Sequence, residues 1–221
     1  MESIKDKIKI VQSKIEASKI DKNVKLVAVS KKKSWQEIYE AYENGICDFG
    51  ENYLQESLEK ISKLKDLKIN WHFIGKIQSN KCEEIAKNFN WVHTIDRLKT
   101  ARLIDKYCPE NKLIKCLIQI NIDNEDSKSG IKLAEVESFL NDLSDLKKIM
   151  VCGFMIIPNP NVEISDLQKT FRKIKMLSDS LIKSYENLTE ISMGMSRDFE
   201  LAIKEGSTIV RLGETIFGAR N

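Results

Sequence analysis

Residues 26–45 read LVAVSKKKSWQEIYEAYENG, and they set a pattern that the rest of the chain repeats. The run at 26–30 is almost wholly apolar, which is typical of a buried strand. The segment after it carries large apolar side chains at helical spacing, namely Trp35, Ile38, Tyr39 and Tyr42. Gly45 then stands where a helix C-cap is expected. A buried strand followed at once by an amphipathic helix is the repeating unit of proteins with parallel sheets.

The same alternation extends along the whole chain. Seven further strands are predicted around residues 47–49 and at 69–74, 91–95, 113–120, 149–157, 188–193 and 208–211. Amphipathic segments follow them at 54–61, 79–89, 97–107, 133–143, 167–181 and from near Ser196, with a short piece at 215–217 after the last strand. Apolar residues at helical spacing also predict a helix before the first strand: Ile4, Ile8, Val11 and Ile15.

Eight strands, seven of them followed by clear helices, predict an α/β fold of one particular kind. We expect a single (β/α)8 TIM barrel that spans residues 1–221 as one domain, with an extra N-terminal helix. An open, doubly wound sheet is the alternative. It is disfavoured because the first strand–helix turn reads Val-Ser-Lys-Lys-Lys and lacks the Gly-x-Gly-x-x-Gly loop typical of that fold.

The composition limits the functions that such a barrel can serve. The chain has 221 residues, 42% of them hydrophobic and 31% charged, which is enough for a deep core. Its net charge of +3 is a smaller basic excess than nucleic-acid-binding proteins usually carry. The longest nearly apolar run, residues 149–157, is much shorter than the roughly 20 residues of a membrane span. We expect no secretory leader, because no pattern of basic, apolar and then small residues opens the sequence.

The cysteines and histidines point to the cytoplasm and away from metal. The five cysteines are scattered and form no Cys-x-x-Cys pair, which is typical of a protein in a reducing compartment. The two histidines, His72 and His93, stand without the further ligands that a metal site needs. We therefore expect a cytoplasmic protein that binds no nucleic acid, no membrane and no metal.

Functional residues of a barrel gather where its strands end. Lys31 follows the first strand, and alternation along that strand places Val27, Val29 and Lys31 toward the barrel axis. Loss of hydration there would lower the pKa of the amine and make Lys31 a candidate nucleophile for a carbonyl compound. A solvated surface lysine is the alternative. The other strand ends carry Glu51, Asn52, His72 to Gly75, His93, Asn121, Met155 to Pro158, Ser192 to Ser196 and Arg211 to Gly213.

The turns after strands seven and eight have features of a phosphate site. Gly194 allows close approach of the backbone to a ligand, and Ser196 is a candidate N-cap for the next helix. Arg211, Gly213 and Glu214 precede a short helical turn, and barrels often bind phosphate with these two loops. The backbone N–H of Glu214 would face the anion while its side chain faces water. Two ordinary glycine turns are the alternative.

Ordered motifs covering roughly residues 26–220 carry a resemblance to a known family. They are LVAVSK at 26–31, FGENYLQE at 49–56, HFIG at 72–75, QSNK at 78–81, QIN at 119–121, KSG at 128–130, GFMIIP at 153–158, SMGMS at 192–196, VRLG at 210–213 and IFG at 216–218. On these motifs the chain resembles the pyridoxal 5′-phosphate (PLP) homeostasis protein family, which is related to the N-terminal barrel of alanine racemase.

The resemblance implies a set of cofactor-binding residues. They are Lys31, Asn52, Ser196, Arg211, Gly213 and Glu214. Lys31 would hold PLP covalently as an internal aldimine, and alignment directly after Val29-Ser30 selects Lys31 rather than Lys33. The serine and the backbone of the glycine–glutamate pair would hold the phosphate. Asn52 and Arg211 would flank the pyridine ring.

Two functions agree with such a site. A PLP-dependent racemase needs an acid–base group on each face of its substrate, and in the resembled racemases the second is a tyrosine from a C-terminal β-domain. We expect no such domain after the eighth strand here, and only Tyr53 stands in a strand-end motif. We therefore expect a non-catalytic monomer that holds PLP, delivers it to apo PLP-dependent enzymes and maintains vitamin B6 homeostasis. A small PLP-dependent amino-acid racemase is the alternative.

Overall fold

The computed structural model describes residues 2–19, 23–123, 125 and 128–218 of the chain. The strands among these residues are β1 (Lys25–Val29), β2 (Asp48–Glu51), β3 (Asn70–Phe73), β4 (Trp91–Ile95), β5 (Ile114–Ile120), β6 (Ile149–Ile156), β7 (Glu190–Ser192) and β8 (Ile209–Leu212). The helices among them are α1 (Ile4–Ser18), α2 (Trp35–Glu43), α3 (Leu54–Lys63), α4 (Cys82–Asn88), α5 (Leu98–Tyr107), α6 (Val136–Leu143), α7 (Ile164–Leu181), α8 (Phe199–Lys204) and α9 (Glu214–Phe217).

The eight described strands form a closed parallel barrel. Each strand pairs with the next one in sequence, and β8 pairs with β1, where Val27 lies opposite Arg211. Helices separate most of the strands, and α1 precedes the first of them. The predicted (β/α)8 barrel and its extra N-terminal helix are therefore confirmed.

Local sequence signals determine where several helices begin. α2 opens with a capping box, in which Ser34 Oγ accepts a hydrogen bond from the Glu37 N–H at 3.2 Å. The Glu37 carboxylate in turn accepts from the Ser34 N–H at 2.8 Å. Because α2 follows the turn that contains Lys31, this box holds the chain directly after that turn.

α1 lies outside the strand–helix repeat and packs against α8, α9 and α2. Its buried residues Ile8, Val11 and Ile15 lie on one helical face, as their spacing predicts. Burial of each such side chain stabilises the fold by about 1.5–3 kcal/mol. Since α8 and α9 flank β8, α1 supports the part of the barrel that carries the last two strand-end loops.

Side chains that alternate along the strands fill two separate cores. Inside the barrel, six buried residues form one cluster: Val27, Trp91, Leu117, Cys152, Met155 and Ile209. Residues of the opposite orientation, such as Ala28 and Phe49, join the larger core between strands and helices. Val27 thus faces the axis and Ala28 faces the helices, as the alternation predicts. Because side chains fill the middle of the barrel, the space for a ligand lies beyond the strand ends.

The predicted strand boundaries mostly differ from the structure by one or two residues. The predicted strand at 188–193, for example, is the shorter Glu190–Ser192. Two predicted helices, 79–89 and 133–143, begin as 3₁₀ turns at Ser79–Lys81 and Leu133–Glu135. None of the described helices is long and apolar enough to cross a membrane.

Candidate cofactor-binding site

A cavity of about 460 Å³, here called the mouth cavity, lies at the carboxyl ends of the strands. All six residues predicted to bind a cofactor line it: Lys31, Asn52, Ser196, Arg211, Gly213 and Glu214. Its apolar wall comes from Val29, Ile74 and Met155 together with the loop after β6, which contributes Ile157, Pro160 and Val162. This volume and this mixture of apolar wall and few polar groups are typical of small-molecule sites.

Lys31 and Lys33 occupy different positions in the turn after β1. Both lysines line a neighbouring cleft with Gly218, but of the two only Lys31 also lines the mouth cavity. Lys33 Nζ lies 3.4 Å from a Glu37 carboxylate oxygen and 3.3 Å from the carbonyl oxygen of Phe217. The geometry therefore agrees with the selection of Lys31 over Lys33 from the sequence motif.

A buried ionic cluster supports this turn from below. Lys60 Nζ donates to the carbonyl oxygen of Ser30 at 2.7 Å and to Glu51 Oε1 at 2.8 Å. Ser30 Oγ donates to the same Glu51 oxygen at 2.6 Å. Lys60 also pairs with Glu56, whose carboxylate accepts from the Lys32 N–H at 2.5 Å. The residues immediately before and after Lys31 are thus both tied to α3.

The charges in this cluster are taken out of water. Glu51 is fully buried and Lys60 is 6% exposed. Burial raises the pKa of Glu51, although the Lys60 ammonium and the Ser30 hydroxyl act in the opposite direction. The burial of Lys60 is not predictable from the sequence, because an i,i+4 pair with Glu56 on a helix is usually solvated. Only the packing of α3 against the ends of β1 and β2 shows that the pair is buried.

Arg211 forms the floor of the mouth cavity. Its guanidinium donates to Ser192 Oγ at 2.5 Å and to the carbonyl oxygen of Ile156 at 3.0 Å. Burial lowers the pKa of Arg211 to about 10, against the effect of the Asp198 carboxylate. Since an arginine with this pKa stays protonated near neutral pH, it presents a fixed cation to whatever the cavity holds.

Asn52 has a buried side-chain oxygen in the wall of the mouth cavity. This Oδ1 atom has no hydrogen-bond partner among the described residues. A buried polar atom without a partner costs free energy, about 1–3 kcal/mol. A ligand that donates a hydrogen bond in the mouth cavity would remove that cost.

The loop after β7 follows the predicted glycine turn, but its helix starts later than predicted. Gly194 has a φ of +96°, and a Cβ there would lie 2.7 Å from the Ala202 Cβ, so glycine is required. The prediction that Ser196 caps the next helix is wrong. α8 begins at Phe199 because Asp198 holds the turn: its carboxylate accepts from the Met195 N–H at 2.5 Å, and Ser196 lies within that turn.

The loop after β8 leads directly into α9. The N–H groups of Ile216 and Phe217 donate to the carbonyl oxygen of Gly213, which closes the first turn. A helix cannot use the N–H groups of its own first turn, so those at Glu214 and Thr215 are available to a ligand. The side chain of Glu214 is exposed, as expected for a residue whose backbone faces an anion.

His72 and His93 do not stand at strand ends, contrary to the prediction. They lie within β3 and β4, fully buried inside the barrel and away from the mouth cavity. β3 ends at Phe73 and β4 at Ile95, so His72 lies one residue and His93 two residues before the end of its strand. In the described part of the chain, no group of three or more His, Cys, Asp or Glu side chains could hold a metal ion.

Comparison with known proteins gives consistent matches over nearly the whole chain. The family model for the alanine racemase N-terminal domain matches residues 1–221. The pyridoxal phosphate homeostasis protein of Haemophilus influenzae is 42% identical over 229 residues, covering 99% of this chain and 97% of that protein. The protein of the same name from Escherichia coli K12 is 41% identical over 222 residues, covering 99% and 94%.

Solved structures show the same likeness. PipY of Synechococcus elongatus without PLP is 33% identical, with a TM-score of 0.90 over 98% of this chain and 100% of PipY. PipY with PLP bound gives a TM-score of 0.87 at 32% identity, with the same coverage. An alanine racemase of Clostridium difficile shares the fold, at a TM-score of 0.78 and 15% identity, and this chain covers 60% of it.

Proposed function

The chain belongs to the pyridoxal phosphate homeostasis protein family, which is built on the alanine racemase N-terminal domain, and on that premise we propose how it handles PLP. It binds PLP in the mouth cavity, as a Schiff base on Lys31, and gives it up to other proteins without converting a substrate. When bound, PLP supplies an aldehyde that condenses with amines and a conjugated ring that absorbs visible light.

One observation supports this proposal above the others. The mouth cavity brings Lys31 together with a buried arginine and with an Asn52 oxygen that lacks a partner. A lysine amine, a fixed cation and an unsatisfied acceptor are the groups that an anionic aldehyde with a hydrogen-bonding ring requires. The residues present therefore fit PLP.

Each lining residue has a separate role in this proposal. Arg211 donates toward the ring nitrogen, and its charge keeps that nitrogen unprotonated. Ser196 supplies a hydroxyl, and Gly213 and Glu214 supply backbone N–H groups, to the phosphate. Asn52 Oδ1 accepts a hydrogen bond from the 3-hydroxyl group at the edge of the ring. Together these contacts orient the group, and Lys31 fixes it.

The surroundings of Lys31 favour storage and release over catalysis. Two-base racemisation needs a second acid–base group opposite the lysine, and Tyr53, the tyrosine in a strand-end motif, is 50% exposed and outside the residues that line the mouth cavity. The rim residue Ile164 is 73% exposed, so the edge of the cavity faces solvent. Release then needs only hydrolysis or amine exchange at Lys31.

We also propose the setting in which this occurs. The chain acts as one domain over residues 1–221, as a cytoplasmic monomer, and the receivers are apo forms of PLP-dependent enzymes. Nucleic acid and membranes are not among its partners.

A titration and a transfer assay test the proposal. Cofactor-free protein is titrated with PLP and followed by visible absorption, with Lys31→Ala as the variant and Lys33→Ala as the matched control. We expect the absorption band to be lost in Lys31→Ala and retained in Lys33→Ala. The loaded protein is then mixed with an apo-aminotransferase, which should regain activity. If activity never returns, even without a trap for free PLP, delivery is wrong.

A further inference from the structure

A chain of five side chains crosses the interior of the barrel from the mouth cavity to the opposite end. Arg211 Nη1 lies 2.5 Å from Ser192 Oγ, which lies 3.2 Å from His93 Nδ1. His93 Nε2 lies 2.9 Å from His72 Nδ1, and His72 Nε2 lies 2.9 Å from Asp48 Oδ1. The five side chains come from β8, β7, β4, β3 and β2, and every link is within hydrogen-bond distance.

When both rings are neutral, the carboxylate end of this chain sets the direction of each hydrogen bond. Arg211 can only donate, and the Asp48 carboxylate can only accept. His72 must therefore carry its proton on Nε2, which leaves its Nδ1 to accept from His93. His93 then carries its proton on Nε2 and accepts at Nδ1 from the Ser192 hydroxyl, whose oxygen accepts from Arg211. With both rings neutral, the Asp48 end alone fixes this arrangement and puts both histidines in the same tautomer.

The surroundings of the histidines agree with neutral rings. Both side chains are fully buried, and His72 stacks on Trp91 with ring centroids 5.4 Å apart and planes 8° from parallel. Burial lowers the pKa of His72, although Asp48 opposes it. Burial also lowers the pKa of His93 well below its usual value, and the Arg211 cation acts in the same direction. A proton on either ring would place a second buried cation near Arg211.

This arrangement strengthens the hydrogen bond that Arg211 donates to Ser192. Both acceptors that its guanidinium uses, Ser192 Oγ and the Ile156 carbonyl, are neutral. Hydrogen bonds that run in one direction polarise one another. By donating to His93, Ser192 becomes a stronger acceptor for Arg211, and the negative charge that completes the chain is Asp48.

We propose that His72 and His93 are positioning residues that hold the Arg211 guanidinium at the floor of the mouth cavity. Neither ring lines that cavity, so each acts through Ser192 and Arg211. That the ligand held against Arg211 is the pyridine ring of PLP rests on the proposed function. The hydrogen-bond chain itself can be measured in the cofactor-free protein.

The first test is nitrogen NMR of the cofactor-free protein with ¹⁵N-labelled histidine. The chain has only two histidines, so two imidazole spin systems are expected. Both should show a protonated Nε2 and an unprotonated Nδ1, and both should remain neutral at pH 6. A protonated Nδ1 on either ring would overturn the proposal, because the chain would then be broken at that ring.

The second test compares two replacements of similar size at position 93. His93→Gln keeps a donor and an acceptor, whereas His93→Leu keeps neither. We expect PLP affinity to fall about tenfold in His93→Leu, the equivalent of one hydrogen bond to a charged group, with a shift of the visible band. His93→Gln should stay within about threefold of the unmodified protein. Equal affinity and equal spectra for the two variants would overturn the proposal.

Ser192→Ala tests the same hydrogen-bond chain if His93→Leu fails to fold. It removes one hydroxyl from the same chain and should reproduce the tenfold loss and the band shift; unchanged binding would overturn the proposal. Failure of the unmodified protein to bind PLP would refute the proposed function, and the NMR result would still decide whether the hydrogen-bond chain exists.

Discussion

Replacing Lys60 with methionine should destabilise the cofactor-free protein by about 3–5 kcal/mol near neutral pH, the usual cost of removing one partner of a buried ion pair. Lys60 Nζ donates to Ser30 and to Glu51, and Glu51 is fully buried. Methionine fills a similar volume and removes only the charge and its hydrogen bonds. The penalty should therefore come from the Glu51 carboxylate, which is left in the core without its cation.

The pH dependence of this penalty identifies its source. Burial already raises the pKa of Glu51, and loss of Lys60 removes a group that lowers it. In the folded Lys60→Met protein, Glu51 then binds a proton more tightly than it does in the unfolded chain. The stability that this proton contributes is present at low pH and is lost as the pH rises above about 4.5. Each pH unit in that range lowers the free energy of unfolding by up to about 1.4 kcal/mol. The penalty should consequently be smaller at pH 5 than at pH 8.

Urea unfolding at both pH values measures the effect. Lys63→Met is the matched control, because Lys63 lies on the same helix and is exposed; it should change stability by less than about 0.5 kcal/mol. Adding Glu51→Gln to Lys60→Met should remove most of the pH dependence. A Lys60→Met protein as stable as the control at pH 8 would refute the reasoning.

Four further outcomes follow from the mouth cavity and from the loop after β7. Pyridoxal, which lacks the phosphate, should bind far more weakly than PLP in an absorption titration. Equal affinity for both compounds would exclude the two loops as the phosphate site. In the same titration, Ser196→Ala should weaken PLP binding by about 1.5–3 kcal/mol, the value of one charge-assisted hydrogen bond. Incubation with L- or D-alanine should give no racemisation near the ~1–10³ s⁻¹ of ordinary enzymes, as followed by chiral chromatography. Gly194→Ala should destabilise the protein by about 1–3 kcal/mol in thermal or urea unfolding, since a Cβ there meets Ala202 at 2.7 Å; an unchanged stability would show that the loop can move away.

The fold could be predicted because its signals are local. The apolar run at 26–30 and the helical spacing from Trp35 to Tyr42 each specify one element within a few residues. Alternation along β1 also predicted that Val27 faces the barrel interior, as the structure shows, since a period of two needs no tertiary information. The start of α8 was missed because two groups compete there. Asp198 accepts from the Met195 N–H, and a serine two residues earlier has the same capping propensity.

The supporting residues of the site could not be predicted, because they depend on contacts between distant strands. His72 and His93 are 21 positions apart in the sequence, and neither sequence context shows that His72 Nδ1 lies 2.9 Å from His93 Nε2. Lys60 has the sequence context of an exposed helical lysine. Its role depends on the packing of α3 against the end of β1, which no periodicity encodes.

Borohydride reduction of the PLP-loaded protein, followed by mass spectrometry of its peptides, tests the central claim most directly. Reduction fixes the Schiff base, and digestion after glutamate releases a peptide spanning residues 17–37 that contains Lys31, Lys32 and Lys33. Fragmentation of that peptide locates the added mass. We expect the modification on Lys31 in the unmodified protein and its loss in Lys31→Ala. A modification that maps to Lys33, or that persists in Lys31→Ala, would contradict it.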